Sequence, residues 1–419
     1  MKNLIKNVCC PPACLRALAA DHTGGAAVML ALGLSSVLGL AGLGTEVAAW
    51  YTSKQTMQSA ADAAAYTAMT ALGKGASVAQ LTTEAKSVAG NYSFVNGTAG
   101  VTVTVNSPPA AGSYAGKPTA VEVIVSQPQT PMVSGLFMSS GPTISARSVA
   151  AAVTTGSGCV VALDKGDVVD VTDSGNTILN LNSCSLYINS NDSAALTMTG
   201  GAALDTTKGT FTGTAPINDP YGYASIPYYS GCNQTNYSNN SATPQTLNAT
   251  GTTPYVFCNG LSLGGGNSSL TLGPGVYIID RGSLTLGGSS TLTATSGVTI
   301  ILTSSTGSGY ATANINGGAT VSITAPATGA TAGLAFFQDR NAPTSGTNSL
   351  TGGNTQNIVG AIYFPNQNVT YAGGATTGGS TCTQLVAYTL KFSGNSTFNS
   401  NCGSAGTSTI GTTGNQLVE

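Results

Sequence analysis

Residues 260–273 read GLSLGGGNSSLTLG, and residues 282–295 read GSLTLGGSSTLTAT. Each pairs a short alternating triplet, Leu-Ser-Leu or Leu-Thr-Leu, with a Gly/Asn/Ser turn and then a second triplet. Residues 315–326 (INGGATVSITAP) are a further relative, and residues 196–204 (LTMTGGAAL) a fainter one. Alternation of apolar and hydroxyl residues is the period of a strand with one buried face. Recurrence at roughly 22 to 33 residues, with short strands and glycine-rich turns, is the pattern of a parallel β-helix or related solenoid. A β-sandwich also places short strands at regular intervals and stands as the alternative. From Cys159 to the end no helical pattern occurs. The stretch 216–258, with several Tyr and Pro, breaks the repeat and is expected to form a loop across the solenoid.

The N-terminal part has another texture. Residues 26–44, AAVMLALGLSSVLGLAGLG, carry no charge. A helix of about 19 residues is long enough to cross a hydrocarbon core of roughly 30 Å. Lys2, Lys6 and Arg16 precede it, and Lys54 is the basic residue close behind it. The positive-inside rule therefore places the N-terminal tail in the cytoplasm and the body outside, as a single-pass inner-membrane protein. A cleaved signal peptide is the competing reading, with Val47-Ala48-Ala49 as its cleavage site. The apolar core is longer than the h-region of a signal peptide, and helix-favouring sequence runs straight through that site. Residues 46–72, EVAAWYTSKQTMQSAADAAAYTAMTAL, contain no Gly or Pro and continue the helix to Gly73 and Gly75. Ala31, Ser35 and Gly39 form a small-xxx-small stripe suited to close helix packing.

The expected organisation is a tail at 1–23, a transmembrane and extended helix at 24–75, a small α+β envelope domain at 76–155, and a Gly/Thr/Ser/Asn-rich β domain at 156–419. Within the second domain, residues 77–94 read as a short helix. VTVTV at 101–105, AVEVIV at 120–125 and residues 143–153 read as strands.

Composition narrows the function. Charged residues are 7% of the chain, against about a quarter in ordinary domains, while 41% are apolar. That much apolar sequence builds a core and argues against disorder. No basic patch occurs and the formal net charge is −2, which argues against a nucleic-acid partner. Of nine cysteines, Cys159, Cys184, Cys232, Cys258, Cys382 and Cys402 lie in the β-rich body. An even set in an exported body reads as a disulfide framework whose pairing stays open. Closure of near neighbours favours Cys159–Cys184, Cys232–Cys258 and Cys382–Cys402, each spanning roughly 20 to 26 residues.

These pieces together resemble the TadG-like proteins of the tight-adherence (Tad, Flp) pilus system. The signature is GGAAVMLALGLSSVLGLAGLGTEVAAWYTSKQTMQSAADAAAYTA at 24–68, with Glu46 after the apolar core, an aromatic pair, and the Gln-x-x-Ala-Asp-Ala-Ala-Ala run. VEVIVSQPQTPMVSGLFMSSGPTISARSVAAAV at 121–153 looks like the family's small envelope domain. GPGVYIIDRG (273–282), AGLAFFQDR (332–340), GAIYFPNQNVTYAGG (360–374) and TQLVAYTLKFSGNST (383–397) are similar to a C-terminal extension found on some members. The resemblance implies a Gram-negative inner-membrane anchor, a periplasmic or pilus-borne body, and a role in Flp pilus assembly or as a minor pilin-like subunit. A type IV prepilin carries Glu at the fifth residue after its cleavage point. Counted from Gly25, that position is Leu30, a departure from the prepilin pattern.

Little else carries chemistry. The one histidine is His22, before the apolar segment, which excludes Ser-His-Asp, Cys-His or His-metal sites in the body. Asp164, Asp167, Asp170 and Asp173 recur every third residue but lack the EF-hand spacing and its closing Glu. Turn formation is preferred over calcium. Asp280-Arg281 and Asp339-Arg340 each end an apolar strand; local ion pairs at coil corners are preferred over a paired-carboxylate glycosidase. Cys9, Cys10, Cys14 and His22 do not match a zinc knuckle and read as solvated thiols in a tail. No cofactor motif and no metal set is therefore expected. Glu46 is expected to pair with a neighbouring subunit, because charges near lipid need a partner.

The expected function is a non-enzymatic, membrane-anchored pilus-assembly component, minor pilin-like or adhesive. Its Thr, Asn and Ser side chains would offer hydroxyls and amides to glycans and to host or abiotic surfaces. The alternatives are a membrane-tethered polysaccharide-active or glycan-binding β-helix and a structural envelope protein unrelated to pili.

Overall fold

The alternating triplets form three-sided parallel coils in a computed structural model of the chain. It describes residues 24–419 apart from 167–168, 177, 183, 207–208, 214–215, 252, 317, 352–355, 373–381, 394–395 and 400–404, and it leaves out the side chains of 24–31, 182, 372 and 396–399. The chain divides into two compact units, Met1–Val153 with Asn415–Glu419, and Thr154–Gly414.

In the first unit, helix α1 (Gly24–Gly73) runs 50 residues without a break. Helix α2 (Val78–Asn91) starts at a capping box, in which Ser77 and Gln80 satisfy each other's backbone donors. Strands β1 (Thr102–Asn106), β2 (Ala120–Pro128) and β3 (Thr143–Thr155) pair antiparallel. The C-terminal strand Thr412–Leu417 adds to β3 as the fourth member of this sheet. The second half of α1 buries Met57, Ala60, Ala61, Ala64, Ala65 and Ala68 against α2 and the sheet. Alanine at these positions lets the helix lie close to the strands. Arg147 ties the sheet together: it meets buried Glu122 at 2.5 Å and Glu419 at 2.7 Å. Glu122 also accepts from Asn106 at 2.6 Å, so its buried charge is both paired and hydrogen-bonded.

The second unit is a parallel β-helix. One coil comprises Gly275–Asp280, Ser283–Leu286 and Thr291–Ala294, and the next begins at Val298, directly above Gly275. Among the described residues its pairings between coils are parallel, which rules out the sandwich. Leu263, Leu286, Ile315, Leu350, Tyr371 and Phe392 stack one above another inside the coils. Between them, Thr and Ser face outward, as the triplets require.

The coils do not follow chain order. The solenoid begins at Gly158–Ala162, adds Ser185–Ile188 and then Thr210–Thr212, and there reaches one end of the stack. Residues 216–233 then run back along the flank to the opposite end, where Gln234–Asn239 starts a second ascent. That ascent ends at Thr383–Ala387 and Leu390–Ser393, which pair with Gly158–Ala162 and Val171–Gly175. The expected loop across the solenoid is therefore shorter than 216–258. Residues from Gln234 onward are coil strands, disguised by their Tyr and Asn content.

One side of the stack is buried on both faces. Val256, Ile278, Ile301, Phe337, Tyr363, Val386, Val161 and Tyr187 form an outer ladder by register. The crossing segment covers it with Ile217, Tyr221 and Ala224. This is why YIID, TIIL and AFF are continuous apolar runs instead of alternating ones.

Candidate functional site

The crossing segment and the coils beneath it enclose a cleft of about 690 Å³. Its walls include Ile226, Pro227, Tyr228 and Tyr229 on one side and Ser304, Ser305, Asp339, Arg340 and Asn341 on the other. Tyr228 projects at its edge, 89% exposed. Arg340 organises the floor. Its Nε donates to the Tyr363 hydroxyl at 2.9 Å, Nη1 donates to the Ala224 carbonyl at 2.6 Å, and Nη2 donates to the Tyr221 carbonyl. Asp219 accepts from the Tyr363 hydroxyl at 2.5 Å and lies 3.7 Å from the Arg340 guanidinium. Burial first, and then the Asp219 charge, holds the Tyr363 phenol well above its ordinary range, so it stays a donor.

The two carboxylates beside the cleft serve the coil corners. Asp280 accepts from the Ser305 amide at 2.6 Å and the Ser305 hydroxyl at 2.8 Å, and meets Arg281 at 3.4 Å. Asp339 accepts from the Thr303 hydroxyl at 2.6 Å and the Asn341 amide at 2.9 Å. The Asp280-Arg281 pair is local as expected. The Asp339-Arg340 pair is not, because Arg340 reaches across to the crossing segment instead.

Among the described residues, no group of three or more His, Cys, Asp or Glu converges. Asp164 turns back to accept from the Gly166 amide at 2.9 Å, a turn-forming role. Asp170 and Asp173 are buried, and Asp167 lies outside the described residues. Disulfides join Cys159 to Cys184 and Cys232 to Cys258. The first lies inside the coils, and the second fixes the end of the crossing segment to strand Tyr255–Leu263. Cys382 is disulfide-bonded. Cys402, together with Cys9, Cys10, Cys14 and His22, lies outside the described residues.

In the first unit, Leu32, Leu34, Val37, Leu38 and Leu40 of α1 are all exposed. Within the described residues, α1 is the one helix long and apolar enough to cross a membrane. Residues 24–71 match the family model for Flp pilus-assembly TadE/G-like proteins. This helix is similar to a TadE/G-like pilus-assembly domain. No curated protein and no solved structure gives a match to the chain. The TadE/G-like match thus covers the helix and leaves the β-helix outside it.

On the TadE/G-like helix, Ser35 and Gly39 lie on the exposed face. A Cβ added at Gly39 would meet nothing within 4 Å, so the small-residue stripe is open at that position. The Ala31 side chain is outside the described residues. Glu46 differs from its expected role. It is buried, accepting from the Met132 amide at 2.8 Å, the Ser134 amide at 2.8 Å and the Ser134 hydroxyl at 2.7 Å. Both oxygens are taken within the chain, by a loop 88 residues away. No periodicity in the sequence signals that partner.

Proposed function

We propose that the chain is a non-enzymatic, single-pass component of the Flp pilus machinery, minor pilin-like or adhesive, with its N-terminal tail in the cytoplasm and its β-helix in the periplasm or on the pilus. The observation that carries this is the TadE/G-like match on a helix whose stretch from Leu32 to Leu40 is bare and apolar. Uncovered Leu and Val at that density call for lipid or partner helices, and Ser35 and Gly39 supply a close-packing face for other Tad subunits. The β-helix is the body on display, and a solenoid of this kind supports long surfaces of repeated hydroxyls. Asp280 and Asp339 are held by the coil corners, which supports a binding role over a hydrolytic one.

For adhesion, the cleft beside Tyr228 is the favoured surface. An exposed aromatic ring next to Ser, Asn and Asp groups suits the apolar face and hydroxyl rim of a sugar. Immunoblots of sheared pili beside the inner-membrane fraction test the placement, with an antibody to the β-helix. Signal in the fibres makes the chain a minor subunit. Signal confined to the membrane makes it an assembly component. A normal piliation phenotype after deletion contradicts the proposal. Tyr228→Ala should reduce surface or glycan binding, and binding by the intact protein no greater than a control would remove the adhesive role.

A further inference from the structure

The loop between β2 and β3 is a strongly apolar exposed segment. Residues 131–138 read PMVSGLFM, and no charged residue occurs between Glu122 and Arg147. Leu136 and Phe137 are each 79% exposed, and Met132 is 70% exposed. Side chains of this size are normally covered, and a tight cluster of them marks an interaction surface. The loop is also pinned in place. Val133 packs against Gly42, where an added Cβ would come within 2.9 Å of a Val133 methyl. Glu46 holds Met132 and Ser134 one helical turn further on.

That anchorage sets the depth of the loop along α1. Gly42 and Glu46 lie at the end of the bare apolar run that contains Leu38 and Leu40. Any bilayer that covers this run ends beside the loop. Most of the loop's amides are satisfied internally, which lowers the cost of approaching lipid. The amides of Met132 and Ser134 bond to Glu46, and those of Leu136, Phe137 and Met138 bond to Val133 and Ser134 carbonyls at 2.8 to 3.2 Å. Ser134 turns its hydroxyl inward to Glu46, and the short turn Ser134–Leu136 presents apolar side chains outward.

We propose that residues 131–138 insert into the outer interface of the bilayer beside α1, as a second membrane contact that fixes how the first unit stands on the membrane. The occupant of the apolar tip is lipid, argued from its continuity with the exposed apolar run of α1. Glu46 is the internal clamp that lets a carboxylate sit at this depth. The inference rests on the membrane-anchor reading of α1.

Single-tryptophan variants of the full chain in nanodiscs test it. Trp50, the chain's one tryptophan, is replaced by Phe, and Phe137→Trp or Leu38→Trp is added. Both replacements lie on exposed positions and leave the buried core alone. With brominated phosphatidylcholine, Phe137→Trp should lose intensity as Leu38→Trp does, with blue-shifted emission and resistance to aqueous iodide. Phe137→Trp quenched by iodide and insensitive to bromine would overturn the inference, and Leu136→Trp provides an independent repeat. Leu38→Trp separates the failures. If it is quenched while Phe137→Trp is not, the anchor stands and the loop faces water, which overturns the inference. If neither is quenched, the anchor reading falls together with the inference.

Discussion

Tyr221 is the side chain on which the crossing segment turns. It is fully buried, its ring lies 5.5 Å from that of Tyr363, and its hydroxyl donates to Gln384 and accepts from the Ser408 amide at 3.2 Å. Truncating a buried aromatic to alanine costs about 3 to 5 kcal/mol. Removing only the hydroxyl takes the partner from the Gln384 Oε1 and the Ser408 amide and costs about 1 to 3 kcal/mol. If the segment detaches locally, without unfolding the coils, those losses appear as faster amide exchange. With tenfold for each 1.4 kcal/mol, Tyr221→Ala should speed exchange in residues 216–231 by roughly 100- to 3000-fold, and Tyr221→Phe by roughly 5- to 150-fold. Hydrogen–deuterium exchange with mass spectrometry on the full chain reads both. The Gly222 and Ala224 amides, bonded within the segment, are the reporters. Unchanged exchange in Tyr221→Ala would refute the account of what holds the segment. Equal effects of the two variants would mean that the hydroxyl, and not the ring, holds it.

Three further outcomes are expected. Asp170 is buried, and burial, reinforced by Asp164, raises its pKa from 3.8 to about 7. A carboxyl whose folded-state pKa is raised loses stability as pH climbs from about 4 to about 7 and is flat above, so Asp170→Asn should raise the neutral-pH melting temperature and flatten that slope. Cys232→Ser with Cys258→Ser opens a closure with a sequence separation of 26 residues. It should cost about 3 kcal/mol in denaturant titration and loosen the far end of the crossing segment first. Glu46→Ala strips the acceptor from three donors, each worth about 1 to 3 kcal/mol when left buried and unmet. Exchange should rise across residues 131–138, and no change there would show that the clamp is idle.

The sequence made some of this legible. Alternation in SLTL and TLTA specified strands with one face buried, and the recurring glycine turns specified coils. The uninterrupted helical pattern to Gly73 specified α1. Three things were hidden. The apolar runs YIID, TIIL and AFF signalled a strand buried on both faces, but not what covered the outer one. The cover is an irregular segment whose contacts, Tyr221 to Tyr363 and Arg340 to Ala224, join residues more than a hundred apart. The order of the coils was equally invisible, because any parallel triplet stacks on any other and the docking of Thr383–Ala387 onto Gly158–Ala162 leaves no periodic mark. For the candidate site, Asp280, Arg281, Asp339 and Arg340 stood out as charges in an uncharged landscape. Which pairs were local and which spanned the cleft depended on where the segment ran. Glu46 was notable for its position, and its partner lay on a loop with no pattern of its own.

The out-of-order stack has a bearing on biogenesis. A polypeptide made from its N-terminus forward lays down Gly158–Ala162 early, yet one flank of that strand stays open until Thr383–Ala387 has emerged. The first unit waits in the same way, since β3 lacks its edge neighbour until Thr412–Leu417 arrives and Arg147 lacks one of its two carboxylates until Glu419 does. Each unit is therefore completed by strands that come late in the sequence. A ribosome that stops short leaves two raw sheet edges, each ready to recruit another strand.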